Sequence, residues 1–315
     1  MGNLKEKICG SELFWLAGAG GLAAAAASPA AGLLCGAGIG LAAGNPARAF
    51  TAKAAKYLLQ GAVVLLGFGL AIDAVLRVGA SSLLITFAGI SLTLSAGYLL
   101  GRLFGVGRDL SLLISCGTAI CGGSAIAAVA PAIGASQADT AMSLSVVFLL
   151  NALALLVFPH VGHYFMMDQA AFGLWSAMAI HDTSSVVGAA ATYGAAALAI
   201  ATTVKLTRAL WILPVSFFCA RRRNTGAGAA VPWFLLGFLA AALARSLLPG
   251  AHPVWDALSG LGRRSMAGAL FLVGAGLTAA ELRRIGARPL LKAAALWLLV
   301  SAASLFVILR FGLRA

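Results

Sequence analysis

The sequence predicts an all-α polytopic membrane protein of about eleven transmembrane helices, built as a 5+5 inverted repeat with two broken crossing helices plus an extra N-terminal helix. Three observations predict it. The chain is 61% hydrophobic and only 10% charged, with a mean hydropathy of +0.99. A soluble domain has about 25% charged residues, so this chain cannot cover itself with a polar surface. Apolar runs near the roughly 20 residues a helix needs to cross a bilayer recur from Leu13 to Phe311. One of them, Gly117–Gly134 (GTAICGGSAIAAVAPAIG), is interrupted near its middle by Gly122-Gly123. Each glycine weakens a helix by about 1 kcal/mol relative to alanine. Ser124 follows at a position where a hydroxyl can cap a new helix. Irregular backbone at membrane depth survives only when protein or a watery cavity surrounds it. The stretch therefore reads as a broken helix with free ends facing a solute, or as a close helix crossing that uses glycine.

Charge, proline and glycine divide the chain into segments. Segment 1 is about Leu13–Ala27, and segment 2 about Pro29–Ala43, closed by Gly44-Asn45-Pro46. Segment 3 runs about Ala55–Ile72, segment 4 Ser82–Leu103 and segment 5, the broken one, Asp109–Ile133. Segment 6 starts near Asp139 and ends at Pro159, leaving His160 and His163 in the following loop. Segment 7, Gln169–Tyr193, carries His181-Asp182 in its interior. Segment 8 is Ala199–Cys219, segment 9 Val231–Leu247, segment 10 Leu258–Ala280 and segment 11 Pro289–Phe311. The whole chain, 1–315, forms one membrane domain. Lys5, Lys7 and the run ending AAAAASPA imitate a secretory signal; with ten further segments following, it is expected to be a retained first helix.

The net charge of +13 follows membrane topology rather than nucleic acid, because basic side chains sit in short loops between apolar runs with no aromatic-basic interleaving. With the N-terminus cytoplasmic, the inner side receives Lys5, Lys7, Arg48, Lys53, Lys56, Arg102, Arg108, Arg221, Arg222, Arg223, Arg283, Arg284, Arg288 and Lys292. The outer side keeps Arg77, Arg245, Arg263, Arg264, Arg310 and Arg314. That bias is the sense the positive-inside rule requires, and it puts the C-terminus outside. The five cysteines, Cys9, Cys35, Cys116, Cys121 and Cys219, show neither CxxC pairing nor metal spacing. They read as reduced core residues, and no metal or cofactor is expected. No hydrolase triad, Walker loop or HExxH occurs, so an enzyme is not expected.

With segment 1 set aside, segments 2–6 (29–159) and 7–11 (168–315) form two groups of five with opposite orientation. The fourth member of each is glycine-broken, CGGS in segment 5 and GAGLT in segment 10. Paired discontinuous helices in inverted repeats are a transporter construction. A helix starting at mid-depth presents unpaired N–H groups and about half a positive charge. Thr118, Cys121, Gly122, Gly123 and Ser124 form one candidate solute site, and Gly274, Gly276 and Thr278 a second set from the opposite direction. Lys205 and Arg208, three apart on one helical face, have no acidic neighbour in sequence. Either they snorkel to the interface or they face an anion, since a cation in hydrocarbon costs at least about 2.5–3.5 kcal/mol. His181, Asp182, Ser184 and Ser185 belong to the densest intramembrane polar cluster. They read as a proton relay, a polar joint, or a salt bridge from Asp182 to Lys205 or Arg208. Asn151 reads as a helix-packing hydrogen bond and Asp73 as interfacial.

At these residues the sequence resembles the YeiH-type sulfate exporter family of bacterial inner-membrane proteins. The matching stretches are Gly117–Gly134, Ile180–Ala190 (IHDTSSVVGAA), Lys205–Pro214 (KLTRALWILP), Leu65–Ile72 (LLGFGLAI) and Gly274–Leu290 (GAGLTAAELRRIGARPL), in order along nearly the whole chain. The resemblance implies a secondary transporter of sulfate or another small anion. It also implies a fold like that of the sodium/proton antiporters and bile-acid symporters, with a core of crossed helices and a panel. Some members of that family carry Glu where this chain has Asp182, and some have Arg near Gln60, so one positive charge is missing here. The expected partners are a small anion, the lipid bilayer, and H+ or Na+ as coupling ion, with a homodimer allowed. The anion is expected between the two breaks, held by Gly122, Gly123, Ser124, Lys205 and Arg208, with His181 and Asp182 coupling protonation to movement. A cation/proton antiporter and a non-transporting sensor or scaffold are the other readings.

Overall fold

The computed structural model of the chain describes residues 29–223, 233–276, 278 and 286–312. The first expected helix, Leu13–Ala27, lies outside them. The described residues are helical with no strand, as a chain with no aqueous partner for its backbone must be. In order the helices are α1 Pro29–Ala43, α2 Arg48–Gly67, α3 Ile72–Leu103, α4 Arg108–Ala119, α5 Gly123–Ile133, α6 Gln137–Tyr164 and α7 Gln169–Ala179. Then follow α8 Thr183–Tyr193, α9 Ala195–Ala209, α10 Ile212–Arg223, α11 Trp233–Leu247, α12 His252–Ala275 and α13 Ala287–Phe311. Among them α3, α6, the pair α9–α10 and α13 are each long and apolar enough to cross a membrane.

The chain divides into two compact units, one containing residues up to Ile72 together with Phe234–Arg283, the other Asp73–Trp233 together with Arg284–Ala315. In the first unit α12 packs on both α1 and α2. Gly36 makes the α1 contact possible, because a Cβ there would overlap the backbone carbonyl of Phe271. The carboxyl end of α12 is satisfied from the turn before α2, where Asn45 Nδ2 donates to the Ala275 carbonyl (3.0 Å) and to Thr51 Oγ1 (2.8 Å). At the other end of this unit Phe68 stacks on Trp255 at 5.0 Å. Arg245 donates to the Phe68 carbonyl (2.7 Å) and pairs with Asp256 (2.8 Å).

The second unit holds α3 to α10 and α13. Its core is built by pairs of half-length helices. The α4 and α5 helices have 12 and 11 residues and α7 and α8 have 11 each, so each is roughly 17 Å long at 1.5 Å per residue. That is about half the ~30 Å hydrocarbon thickness. Of the outer ends, Ser136 accepts from the Asp139 amide to start α6 (3.0 Å) and Asp168 from the Ala171 amide to start α7 (2.8 Å). Gly134, with φ 65°, closes α5 in the left-handed conformation.

Several expectations change. Segment 7 is not one helix: it stops at Ala179 and restarts at Thr183. Segment 6 does not end at Pro159 but runs on to Tyr164, which puts His160 and His163 in the helix, His163 stacking on Tyr193 at 4.4 Å. Segment 8 carries a turn at Leu210-Trp211 between α9 and α10. Segment 10 starts earlier, at His252, and its helix closes at Ala275.

Candidate functional site

The site grows out of the two breaks in the second unit. After Ala119 the chain leaves helical geometry at Ile120 (φ −114°, ψ −87°), and Gly122 takes φ 60°, ψ −124°, a conformation closed to side-chain-bearing residues. Helix α5 then starts at Gly123 with no side-chain cap from Gly122. Its first internal bond runs from the Ile126 amide to the Gly122 carbonyl (3.2 Å). The preceding amides have no helical partner. Cys121 lies against the Ala125 amide, and the amides of Gly123 and Ser124 meet no acceptor among the described residues. Gly123 and Ser124 are half-buried, while Cys121, Gly122, Ala125 and Ile126 around them are buried.

The second break has the same form with a different cap. Ile180 is extended (ψ 133°), and Asp182 (ψ 146°) is the N-cap of α8. Its carboxylate accepts from the Ser184 amide (3.1 Å) and from the Ser184 hydroxyl. Two breaks thus end in two amino termini, one satisfied by its own carboxylate and one not. They touch: a Cβ on Gly122 would lie 3.1 Å from Asp182 Cβ and 3.2 Å from its Cα.

Lys205 and Arg208, on α9, are 0% and 1% exposed, so neither snorkels. Their donors go to the carboxyl ends of the broken helices. Lys205 Nζ donates to the carbonyls of Ile180 (2.6 Å) and Ala177 (3.3 Å). Arg208 donates to Met178 (2.6 Å) and Ala177 (3.2 Å) of α7, and to Ala119 of α4. Each of those ends carries about half a negative charge, and two fixed cations answer them. Among the described residues no ion pair joins Asp182 to either cation.

Of the other expected site residues, Thr118 is buried and donates to the Ile114 carbonyl (3.0 Å). Cys121 packs in an apolar cluster with Ile90, Ile120, Ala125 and Ile212. Ser185 is buried in the first turn of α8, and His181 is 1% exposed with no partner for either ring nitrogen. Gly274, Gly276 and Thr278 belong to the other compact unit. There Gly274 lies inside α12, Gly276 caps its end and Thr278 is buried. The break that meets the one at Gly122 is therefore that of segment 7, at Ile180–Asp182.

Two more residues join the site, Asn151, read from the sequence as a helix-packing hydrogen bond, and Lys292, counted there only among the inner-side charges. Asn151 of α6 accepts through Oδ1 from the amides of His181 (3.1 Å) and Asp182 (3.2 Å), holding the second break open. Lys292 of α13, fully buried, donates to the Ser111 carbonyl (2.9 Å) and Ser115 Oγ (2.7 Å) of α4. A lone polar residue in an apolar helix was the available signal for both.

The fold and the crossing define a helical membrane protein with two discontinuous helices whose breaks lie against each other. The chain belongs to the family described as conserved hypothetical protein 698, whose model matches residues 24–293. It is 51% identical over 273 residues to a UPF0324 membrane protein of Geobacter sulfurreducens, covering 87% of this chain and 88% of the relative. A UPF0324 membrane protein of Bdellovibrio bacteriovorus is 46% identical over 289 residues, covering 90% and 89%. No solved structure matches the chain.

Proposed function

We propose that this protein is a secondary transporter of a small anion, sulfate or a sulfonate-like oxyanion first, working by alternating access in the bacterial cytoplasmic membrane with its N-terminus inside. One observation carries the reading. At the crossing, α8 has an anion of its own, the Asp182 carboxylate, whereas the amino end of α5 has none. Helix amino termini attract anions, and the amides of Gly123 and Ser124 at this one meet no acceptor among the described residues, which supports a negative solute. In this reading the solute accepts from the amides of Gly123 and Ser124. Lys205 and Arg208 supply positive field from the carboxyl ends they hold, rather than gripping the solute directly. His181 and Asp182 provide the proton-coupling pair. The eleven-span count, the repeats 29–159 and 168–315 and the likeness to antiporter and symporter folds belong to the same proposal.

The test is counterflow. Proteoliposomes loaded with unlabelled sulfate should accumulate labelled external sulfate faster than protein-free vesicles, and external methanesulfonate should compete. Vesicles that show no protein-dependent exchange of sulfate, methanesulfonate or phosphate would remove the anion-transport reading.

A further inference from the structure

Asn151 is 3% exposed and sits mid-way along α6. Its Oδ1 receives two backbone N–H groups, those of His181 and Asp182. Only an oxygen can accept them, so the orientation of the amide is fixed by its partners. The NH2 group therefore points the other way, and Nδ2 meets no acceptor among the described residues. A buried donor left without an acceptor costs about 1–3 kcal/mol.

The place where that NH2 group lies is constrained from two directions. Asp182 N, which Asn151 holds, is 3.3 Å from the point a Cβ would occupy on Gly122. Phe148, one helical turn before Asn151 on the same face of α6, has its ring 3.2 Å from the corresponding point on Gly123. Asn151 is thus bonded to the residues of the second break that lie against Gly122, on a helix face that reaches Gly123 through Phe148. His181, whose backbone amide Asn151 holds, is a further buried group with neither ring nitrogen partnered, and a neutral imidazole always carries one N–H donor. Nδ2 has no lone pair to offer a cation. The chemistry that suits this set is an acceptor with several oxygens.

We propose that the Asn151 carboxamide is a direct ligand of the solute, its NH2 group and the amino end of α5 holding one small oxyanion from two sides. This rests on the anion reading above and adds the residue that selects for oxygen acceptors. One side chain then does two jobs: its oxygen fixes the shape of the second break, and its nitrogen reads the solute bound at the first.

The experiment measures melting of the detergent-solubilised full chain in a sodium sulfate titration against sodium chloride at matched ionic strength. The variants are Asn151→Asp and Asn151→Ser. Asn151→Asp keeps an oxygen for the His181 and Asp182 amides and replaces the donor with a second acceptor oxygen. The expected result is a folded chain that melts below wild type in chloride, because a second carboxyl is buried beside Asp182, with at least a tenfold weaker apparent sulfate affinity. If Asn151→Asp does not fold, Asn151→Ser, which adds no charge, carries the same expectation of about a tenfold loss. A wild-type chain that responds to sulfate beside a folded variant with unchanged affinity overturns the Asn151 assignment and leaves the anion site standing; the amide would then have only water as partner. A wild-type chain that responds to neither sulfate, methanesulfonate nor phosphate overturns the anion site itself, and this assignment with it.

Discussion

Giving α5 the carboxylate that α8 already has tests where the anion sits. Ser124 lies in the first turn of α5 and is half-buried, so Ser124→Asp places a negative group beside the Gly123 and Ser124 amides without entering the packed core. A carboxylate in the first turn of a helix contributes about 0.3–1 kcal/mol, rising to about 2 kcal/mol in partly buried positions. The half-burial and the two cations on α9 put this case toward the upper end. At no more than about 2–4 °C per kcal/mol, the range for 150–250 residues, the variant of this 315-residue chain should melt up to a few degrees higher than wild type in chloride buffer. Sulfate at about 100 times its dissociation constant should stabilise wild type by about 2.7 kcal/mol. In the variant that gain should vanish, because the tethered carboxylate takes the donors and repels a dianion. Differential scanning fluorimetry of both proteins, with and without sulfate, reads both numbers at once. A variant that gains nothing in chloride and still shifts with sulfate as wild type does would refute the placement of the anion at this helix end.

Other outcomes follow from the same geometry. Arg208→Gln should cost about 2–4 kcal/mol in a denaturant or thermal titration. That is less than the sum of its charge-assisted bonds at about 1.5–3 kcal/mol each, since burying a guanidinium is itself expensive. Gly122→Ala should lose about 1–3 kcal/mol to backbone strain, plus the cost of a methyl 3.1 Å from Asp182 Cβ. Gly61→Ala, inside α2 with nothing within 4 Å of the added carbon, should instead gain about 0.5–1 kcal/mol. A double-mutant cycle of Lys292→Met with Ser115→Ala should show a coupling of about 1.5–3 kcal/mol. By contrast, Asp109→Asn should change stability by less than about 1 kcal/mol, because the Arg223–Asp109 pair is 46% and 31% exposed.

What the sequence disclosed depended on whether backbone or side chain carried the signal. The limits of α1 could be read from Pro29 and the Gly44-Asn45-Pro46 stop, and the break at Gly122 from its glycine pair. The break at Ile180–Asp182 was passed over because no glycine or proline marks it; its signal was an aspartate in N-cap position followed by Thr183, Ser184 and Ser185. Pro159 misled in the opposite sense. It removes one N–H, but in an apolar span the remaining backbone has no better partner than the helix, and α6 continues to Tyr164. The absence of acids near Lys205 and Arg208 was visible, yet their partners were not, since backbone carbonyls exposed by a distant helix break leave no trace in composition. For the same reason segment 5 was paired with segment 10 by punctuation, while the structure sets Gly122 against Asp182. Asn151 showed only as one polar letter.

Arg208 reaches α7 with one nitrogen and α4 with another, and that has a mechanical consequence. Two helices that could have pivoted independently at their flexible joints are instead riveted through one planar group anchored on α9. Neither joint can flex without dragging the other or tearing bonds that no water is at hand to replace. Through that one group α4, α7 and α9 are tied together, so bending at either break has to break bonds of Arg208.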